Sequence, residues 1–143
     1  MIKLSKKLEY GLISLLHIAT SSPGTLTTSR EIANRYRIPS EILGKVLQAL
    51  AKGELVESIQ GVKGGYRLNR SLDCIVFGEV IEALEGPIHL TPCTCKDYVC
   101  FQEPFCNIKE PVYHFQDQLM KFVYGISLDS FQNKKHDINV KST

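Results

Sequence analysis

The chain has 143 residues, 43% of them hydrophobic and 22% charged, which is an ordinary globular make-up with room for one domain, or a small head plus an arm. Its net charge of +2 hides a division: residues 1–70 carry 11 Lys/Arg against 5 Asp/Glu, and residues 71–143 carry 6 against 10, so the front half is the one with a footprint for phosphate. Five cysteines, an odd number, argue against a secreted disulfide framework; with no stretch of transmembrane length and a short apolar run, Gly11–Ala19, that follows Glu9 and lacks a cleavage site, the expectation is a cytoplasmic protein with no membrane partner.

Leu4, Leu8, Leu12, Leu15, Leu16 and Ala19 recur at helical spacing and predict an amphipathic helix over 4–20, stopped by Ser22-Pro23-Gly24. Thr28-Ser-Arg-Glu31 has the form of a capping box and opens a second helix over 28–36. Arg37-Ile38-Pro39 breaks that helix. A third, over 39–52, is expected to bury Ile42, Leu43, Val46, Leu47 and Leu50. A short helix, a tight break and an apolar-striped helix make the helix-turn-helix pattern. Leu55–Ile59 and Tyr66–Leu68 then read as strands joined by the turn Gly61-Val62-Lys63-Gly64-Gly65, a hairpin placed as a wing. The expected fold class is mainly α with a small β-hairpin wing, the winged helix-turn-helix head occupying residues 1–86.

Glu41, Gly44, Lys45 and Gln48 share the third helix's polar face, opposite the apolar stripe. In a winged head that face meets the major groove of double-stranded DNA, where Lys can contact guanine and Gln can bond adenine bidentately; a plain solvated face is the alternative. Gly44 costs the helix about 1 kcal/mol relative to Ala, a tolerable cost where backbone must approach DNA. Lys63 and Arg67 on the wing and Arg30 at the start of the second helix are candidates for phosphate contacts, which position rather than specify.

Cys74–Val76 is a short apolar patch in which Cys74 is expected as a small buried hydrophobe. Phe77–Leu84 reads as a short helix, and Gly86-Pro87 opens a loop, residues 87–106, that holds Cys93, Cys100 and Cys106. Six residues separate the first pair and five the second. Clustered thiolates are soft ligands that select zinc, copper(I) or iron–sulfur clusters. With no zinc-finger pair spacing among these three, an iron–sulfur cluster is the leading reading, and reduced structural thiols or zinc are the alternatives. Cys95 is a rival, as a replacement for Cys93, a completing ligand or a disulfide partner. His89 and His114 are the other nitrogen candidates, His114 expected in solvent, while His17 reads as a helix-face histidine rather than a ligand.

Beyond the loop, Ile108, Val112, Phe115, Leu119, Phe122 and Ile126 alternate steps of four and three, the seam of a coiled-coil-type helix. Residues 107–124 are therefore expected to form a dimerisation helix with Pro111 in its first turn or at a kink, residues 107–132 comprising that helix and a return segment. Residues 133–143 have little to bury and are expected to be a frayed tail.

Taken together, four motifs resemble the Rrf-two family of bacterial winged-helix regulators, of the IscR, NsrR and RirA type: Leu4-Ser5-Lys6 with Glu9-Tyr10, Gly61-x-x-Gly64-Gly65-Tyr66-x-Leu68, Gly78-Glu79-Val80-Ile81, and the cysteine loop. The resemblance runs from residue 1 to about 131 and implies a homodimeric transcription regulator, not an enzyme, whose cluster, 2Fe–2S or 4Fe–4S, controls DNA binding. It implies Cys93, Cys100 and Cys106 as cluster ligands. The IscR-type histidine position falls on Lys109, which cannot ligate. In the NsrR-like branch the partner subunit supplies an acidic residue near the N-terminus, and that position matches Glu9; the same position is basic in IscR. Two further departures, Gly44 where IscR-like proteins carry a discriminating glutamate and Gln60 where they carry a wing arginine, imply a different operator. The expected function is a regulator, of repressor type, sensing iron, redox state or nitric oxide. A zinc-stabilised or cluster-free regulator and an iron–sulfur electron carrier are the alternatives, the last needing neither wing nor recognition helix.

Overall fold

The structure, a computed structural model, describes residues 3–132. The expected tail, 133–143, lies outside the described residues. Helix α1 (Lys6–Ala19) starts where the Ser5 hydroxyl accepts from the Leu8 N–H at 3.1 Å, satisfying one of the donors a helix leaves open at its first turn. Thr28 does the same for α2 (Ser29–Tyr36), its hydroxyl accepting from the Glu31 N–H at 3.1 Å. Arg37 closes α2 in the left-handed region at φ 54°, and Ile38 drops into the core before α3 (Ser40–Lys52) begins.

On α3, Leu43, Val46, Leu47 and Leu50 are wholly buried. Ile42, expected among them, is 43% exposed. It sits about 100° around the helix from Leu43, past the edge of the stripe that faces α1, α2 and the helix that follows the wing.

Strands β1 (Val56–Ile59) and β2 (Gly65–Leu68) pair antiparallel with Val56 opposite Leu68 and Ile59 opposite Gly65. Thr27 adds a third short rung, exchanging backbone hydrogen bonds with Tyr66 at 3.0 and 2.8 Å, and so ties the wing to the α1–α2 connection. Two close backbone approaches, one within the hairpin and one from Thr27, explain the two adjacent glycines. A Cβ on Gly64 would stand 2.2 Å from the Ile59 carbonyl oxygen, and one on Gly65 would stand 2.8 Å from that of Thr27.

A 3-10 turn, Leu72–Cys74, leads into α4 (Phe77–Glu85). Here the expectation for Cys74 fails: the thiol is exposed. Leu72 and Ile75 are one 3-10 turn apart and both point inward, which leaves Cys74 outside beside the Ser71 hydroxyl, 3.6 Å from its sulfur. The Glu79 carboxylate caps α4 by accepting from the Val76 N–H at 3.0 Å and pairs with Arg70 at 2.9 Å. Burial alone would raise its pKa, but these two hydrogen bonds and the arginine charge prevail and hold the carboxyl below its ordinary value.

Helix α5 (Lys109–Tyr124) takes Pro111 in its first turn, where no intrahelical N–H is required. Its last turn lays Tyr124 on Gly78 of α4, where a Cβ would come within 2.6 Å of the ring. Burial there, with Glu82 and Glu79 nearby, pushes the Tyr124 hydroxyl up to about 12. The chain then returns to the head: Phe77 N–H bonds the Ile126 carbonyl at 2.8 Å and Leu128 N–H bonds that of Ile75 at 2.9 Å. Leu128 is fully buried in the head's core. The expected mainly α winged-helix architecture is therefore the one observed, and no described helix is long and apolar enough to cross a membrane.

Candidate metal centre and nucleic-acid interface

Two short 3-10 turns, Pro92–Thr94 and Glu103–Phe105, fold the cysteine loop against the start of α5. Each contains a proline, which presets the backbone dihedral a tight turn needs. The result places Cys93, Cys95, Cys100 and Cys106 in the wall of a cavity of about 400 Å³, a wall that also includes Lys109 and Tyr113. All four are free and half-buried. Cys93 is held most closely. Its sulfur lies 2.9 Å from the Thr91 hydroxyl, and its carbonyl accepts from the Tyr113 hydroxyl at 2.8 Å. Two hydrogen bonds join Gln116 of α5 to the same arm: the Leu90 N–H donates to its amide oxygen at 2.8 Å, and its amide nitrogen donates to the Ile88 carbonyl.

The thiols share a cavity without forming a closed ligand set. Among the described residues no three His, Cys, Asp or Glu side chains are grouped closely enough to hold a metal ion. The donor chemistry nevertheless suits an iron–sulfur cluster or zinc, since the cavity wall offers four cysteine sulfurs against one carboxylate, Glu103. Lys109, in the cavity wall, is engaged by Glu103. That hydrogen bond and the opposite charge raise the lysine's pKa and lower the glutamate's.

Glu9 stands apart from these cysteines within the chain. It is half-buried on α1, bonded by Lys6 at 2.7 Å, and is not in the cavity wall. His114 is exposed, as expected, and His89 meets the Thr94 hydroxyl at 3.0 Å. His17 is only 9% exposed and joins α1 to α2: Nδ1 lies 3.0 Å from the Tyr36 hydroxyl and Nε2 lies 3.0 Å from the Glu31 carboxylate. It is a structural link rather than a free face residue. Sequence reasoning missed Thr91, Tyr113 and Gln116. A polar pair at i and i+3, Tyr113 and Gln116, beside an apolar seam was the available signal.

In the head, Glu41, Lys45 and Gln48 are exposed along α3, with Gly44 half-buried between them. A Cβ on Gly44 would meet nothing within 4 Å, so none of the described residues requires a glycine there. Arg30 is exposed near the start of α2. At the wing, Lys63 is exposed beside the fully exposed Val62, and Gln60 donates to the Ser58 hydroxyl at 3.3 Å. Arg67 is not free: it pairs with Glu57 across the hairpin at 2.8 Å. Exposed pairs of this kind are worth about 0–1 kcal/mol, so a phosphate can displace the glutamate at small cost.

Comparison with known proteins places this geometry in a lineage. Residues 4–134 match Rrf2, described as an iron-dependent transcriptional regulator. The chain is 34% identical over 109 residues to the HTH-type transcriptional regulator NsrR of Bacillus licheniformis, covering 76% of each protein. Its fold matches a putative transcriptional regulator from Listeria innocua at TM-score 0.73 and 25% identity, covering 99% of this chain and 93% of that one. It also matches CymR, the global cysteine regulator of B. subtilis, at TM-score 0.70 and 26% identity, covering 92% and 96%. The winged head, the cysteine loop and the long helix after it are thus those of a DNA-binding transcriptional regulator, not an enzyme, and the chain belongs to the Rrf2 family.

Proposed function

We propose that this regulator is a cytoplasmic homodimer whose operator affinity depends on an iron–sulfur cluster held by Cys93, Cys100 and Cys106, with Glu9 of the partner subunit as the fourth ligand. The observation that carries the reading is the cavity that all four of the loop's thiols line. The iron-dependent description of the family and the NsrR relative support it. When bound, such a cluster supplies a centre whose integrity responds to iron supply, oxidants or nitric oxide. The chain's own residues do the rest. Lys45 and Gln48 read base edges from α3, while Arg30, Lys63 and Arg67 neutralise phosphates. Gln60 takes the place of a charged wing residue, and Glu41 borders the reading face. Repression of the target promoter is the proposed output.

Anaerobic purification followed by iron, sulfide and zinc analysis tests the cofactor, and promoter binding with and without it tests the coupling. Stoichiometric iron and acid-labile sulfide with visible absorption is the expected result, together with a large change in DNA affinity on cluster removal. Colourless, zinc-loaded protein with unchanged binding would instead favour the zinc-stabilised or cluster-free regulator. That second reading draws on two observations: the thiols are not closed into a ligand set, and the CymR-like fold belongs to a cysteine regulator.

A further inference from the structure

The two arms of the cysteine loop are held very differently. On the far side, Val99, Phe101 and Phe105 are 79%, 96% and 89% exposed, and the side-chain tie to α5 is the exposed Lys109–Glu103 pair, a weak kind of link. On the near side, residues 88–95 are laced together. His89 meets Thr94, the Thr94 hydroxyl donates to the Thr91 carbonyl at 2.8 Å, and the Thr91 hydroxyl reaches the Cys93 sulfur. This arm is then fastened to α5 at both ends, by Gln116 at Ile88 and Leu90 and by Tyr113 at Cys93. An amide side chain is suited to the first fastening, because it offers one acceptor and one donor to a backbone N–H and a backbone C=O two residues apart.

We propose that Gln116 and Tyr113 are positioning residues for the cysteine cavity: they pin the arm Ile88–Cys93 to α5 and so aim the Cys93 thiol inward as the cavity's fixed donor. The proposal rests on the reading of the cavity as a soft-metal site, to which it adds a division of labour. Cys93 is presented ready-placed, and Cys100, on the loosely tied arm, completes the site by closing onto it. Preorganising one donor lowers the ordering cost of binding, and outer hydrogen bonds of this sort commonly change metal retention by about 10- to 100-fold. Gln116 and Tyr113 lie to one side of the Phe115–Leu119–Phe122 row, so altering them leaves that row intact.

The test uses full-length Gln116→Leu, Gln116→Glu and Tyr113→Phe proteins. In the metal-free state, backbone amide exchange is followed at Leu90, and modification by N-ethylmaleimide is compared at Cys93 and Cys95. Gln116→Leu should speed Leu90 exchange roughly fivefold, the scale set by one hydrogen bond's net contribution, and both Gln116 variants should raise Cys93 modification relative to Cys95. Gln116→Glu keeps the side chain's size and the acceptor for the Leu90 N–H but cannot donate to the Ile88 carbonyl, so raised Cys93 modification with Leu90 exchange left slow would trace the effect to hydrogen bonding rather than packing. Tyr113→Phe should raise Cys93 modification and leave Leu90 exchange alone, because it frees a carbonyl and not an N–H. In loaded protein, all three should lose the cluster to a chelator several-fold faster. Unchanged Leu90 exchange in Gln116→Leu, with unchanged Cys93 modification in both Gln116 variants, would overturn the clamp. Faster exchange with an unchanged chelator lifetime would overturn its role toward the metal. Should the wild-type protein take up no cluster, the cofactor reading alone falls, since the two metal-free measurements still decide whether the arm is pinned.

Discussion

Gly44 illustrates how a single residue's cost points to its use. It weakens α3 by about 1 kcal/mol relative to alanine, and the open space around it shows that no neighbour among the described residues demands the missing side chain. Gly44→Ala is therefore expected to raise unfolding stability by about 1 kcal/mol in denaturant titrations while lowering operator affinity in a gel-shift assay, because the added methyl meets the groove. Equal affinity would place the reading surface elsewhere on α3. The cysteines make the complementary case. Replacing Cys93, Cys100 or Cys106 singly with alanine should abolish or strongly destabilise cluster incorporation, as each change removes a charged sulfur donor. Cys74→Ala, distant in role and exposed at the protein surface, should leave the visible spectrum intact, and Cys95→Ala should leave it largely intact. Full occupancy without Cys100 would refute the ligand assignment.

Among the elements, α5 has one face committed to α4 and another that leaves large apolar side chains exposed among the described residues. Ile108, Phe115 and Phe122 on that second face are 56%, 67% and 64% exposed, with Val112 and Leu119 half-buried between them. Apolar residues at this spacing suit a second copy of the helix across a two-fold axis. Leu119→Glu should then raise the dimer dissociation constant at least tenfold in sedimentation experiments, given about 1.5–3 kcal/mol for burying a leucine side chain and about 1.4 kcal/mol per factor of ten. Helix α4 supports a pH prediction. Its Glu79 carboxyl is held below its ordinary value by Arg70 and the Val76 N–H, against the opposing effect of burial. A group that binds its proton more weakly when folded stabilises the fold above its unfolded pKa of about 4.3, and that contribution disappears as pH falls through the lower folded value. Glu79→Gln should lose stability at neutral pH and show a shallower fall in stability below pH about 5. An acid-unfolding curve parallel to wild type would remove Glu79 from the account.

For the molecule as a whole, the question is how a cavity beside α5 alters a reading helix in the head. Within one chain Glu9 and the cysteines do not meet, so the proposed link between them must cross the dimer. A partner's Glu9 bound to the cluster would tie α1 of one head to the other subunit's cysteine loop and fix the separation of two α3 helices, which must enter successive major grooves about 34 Å apart. Losing the tie would shift a two-state equilibrium of head positions and change affinity without altering a DNA contact. Glu9→Ala should bind cluster less stably and narrow the difference between loaded and metal-free operator binding. If both the spectrum and that difference stay at wild-type values, the fourth ligand is Cys95, a histidine or an exogenous group.

Much of this was legible in the sequence because it is local. The cap at Thr28, the break at Arg37–Pro39, the apolar stripe of α3 and the four–three rhythm of α5 each depend on residues within a turn or two of one another, and helices and hairpin appear within a residue or two of where those signals place them. The glycines of the wing were also visible, but their reason was not: Gly65 is needed because Thr27 runs past it, a neighbour from the far side of α2 and α3. Tertiary structure alone decided which way borderline residues face. Ile42 falls beyond the buried arc of α3, and Cys74 is turned outward because Leu72 and Ile75 claim the core. It decided that Leu128 re-enters the head, and that Gln116 and Tyr113 grip a loop more than a helix's length behind them. The physical reason is common to all of these: periodicity and capping are set by backbone geometry over a few residues, whereas a contact between distant segments depends on how several elements pack at once.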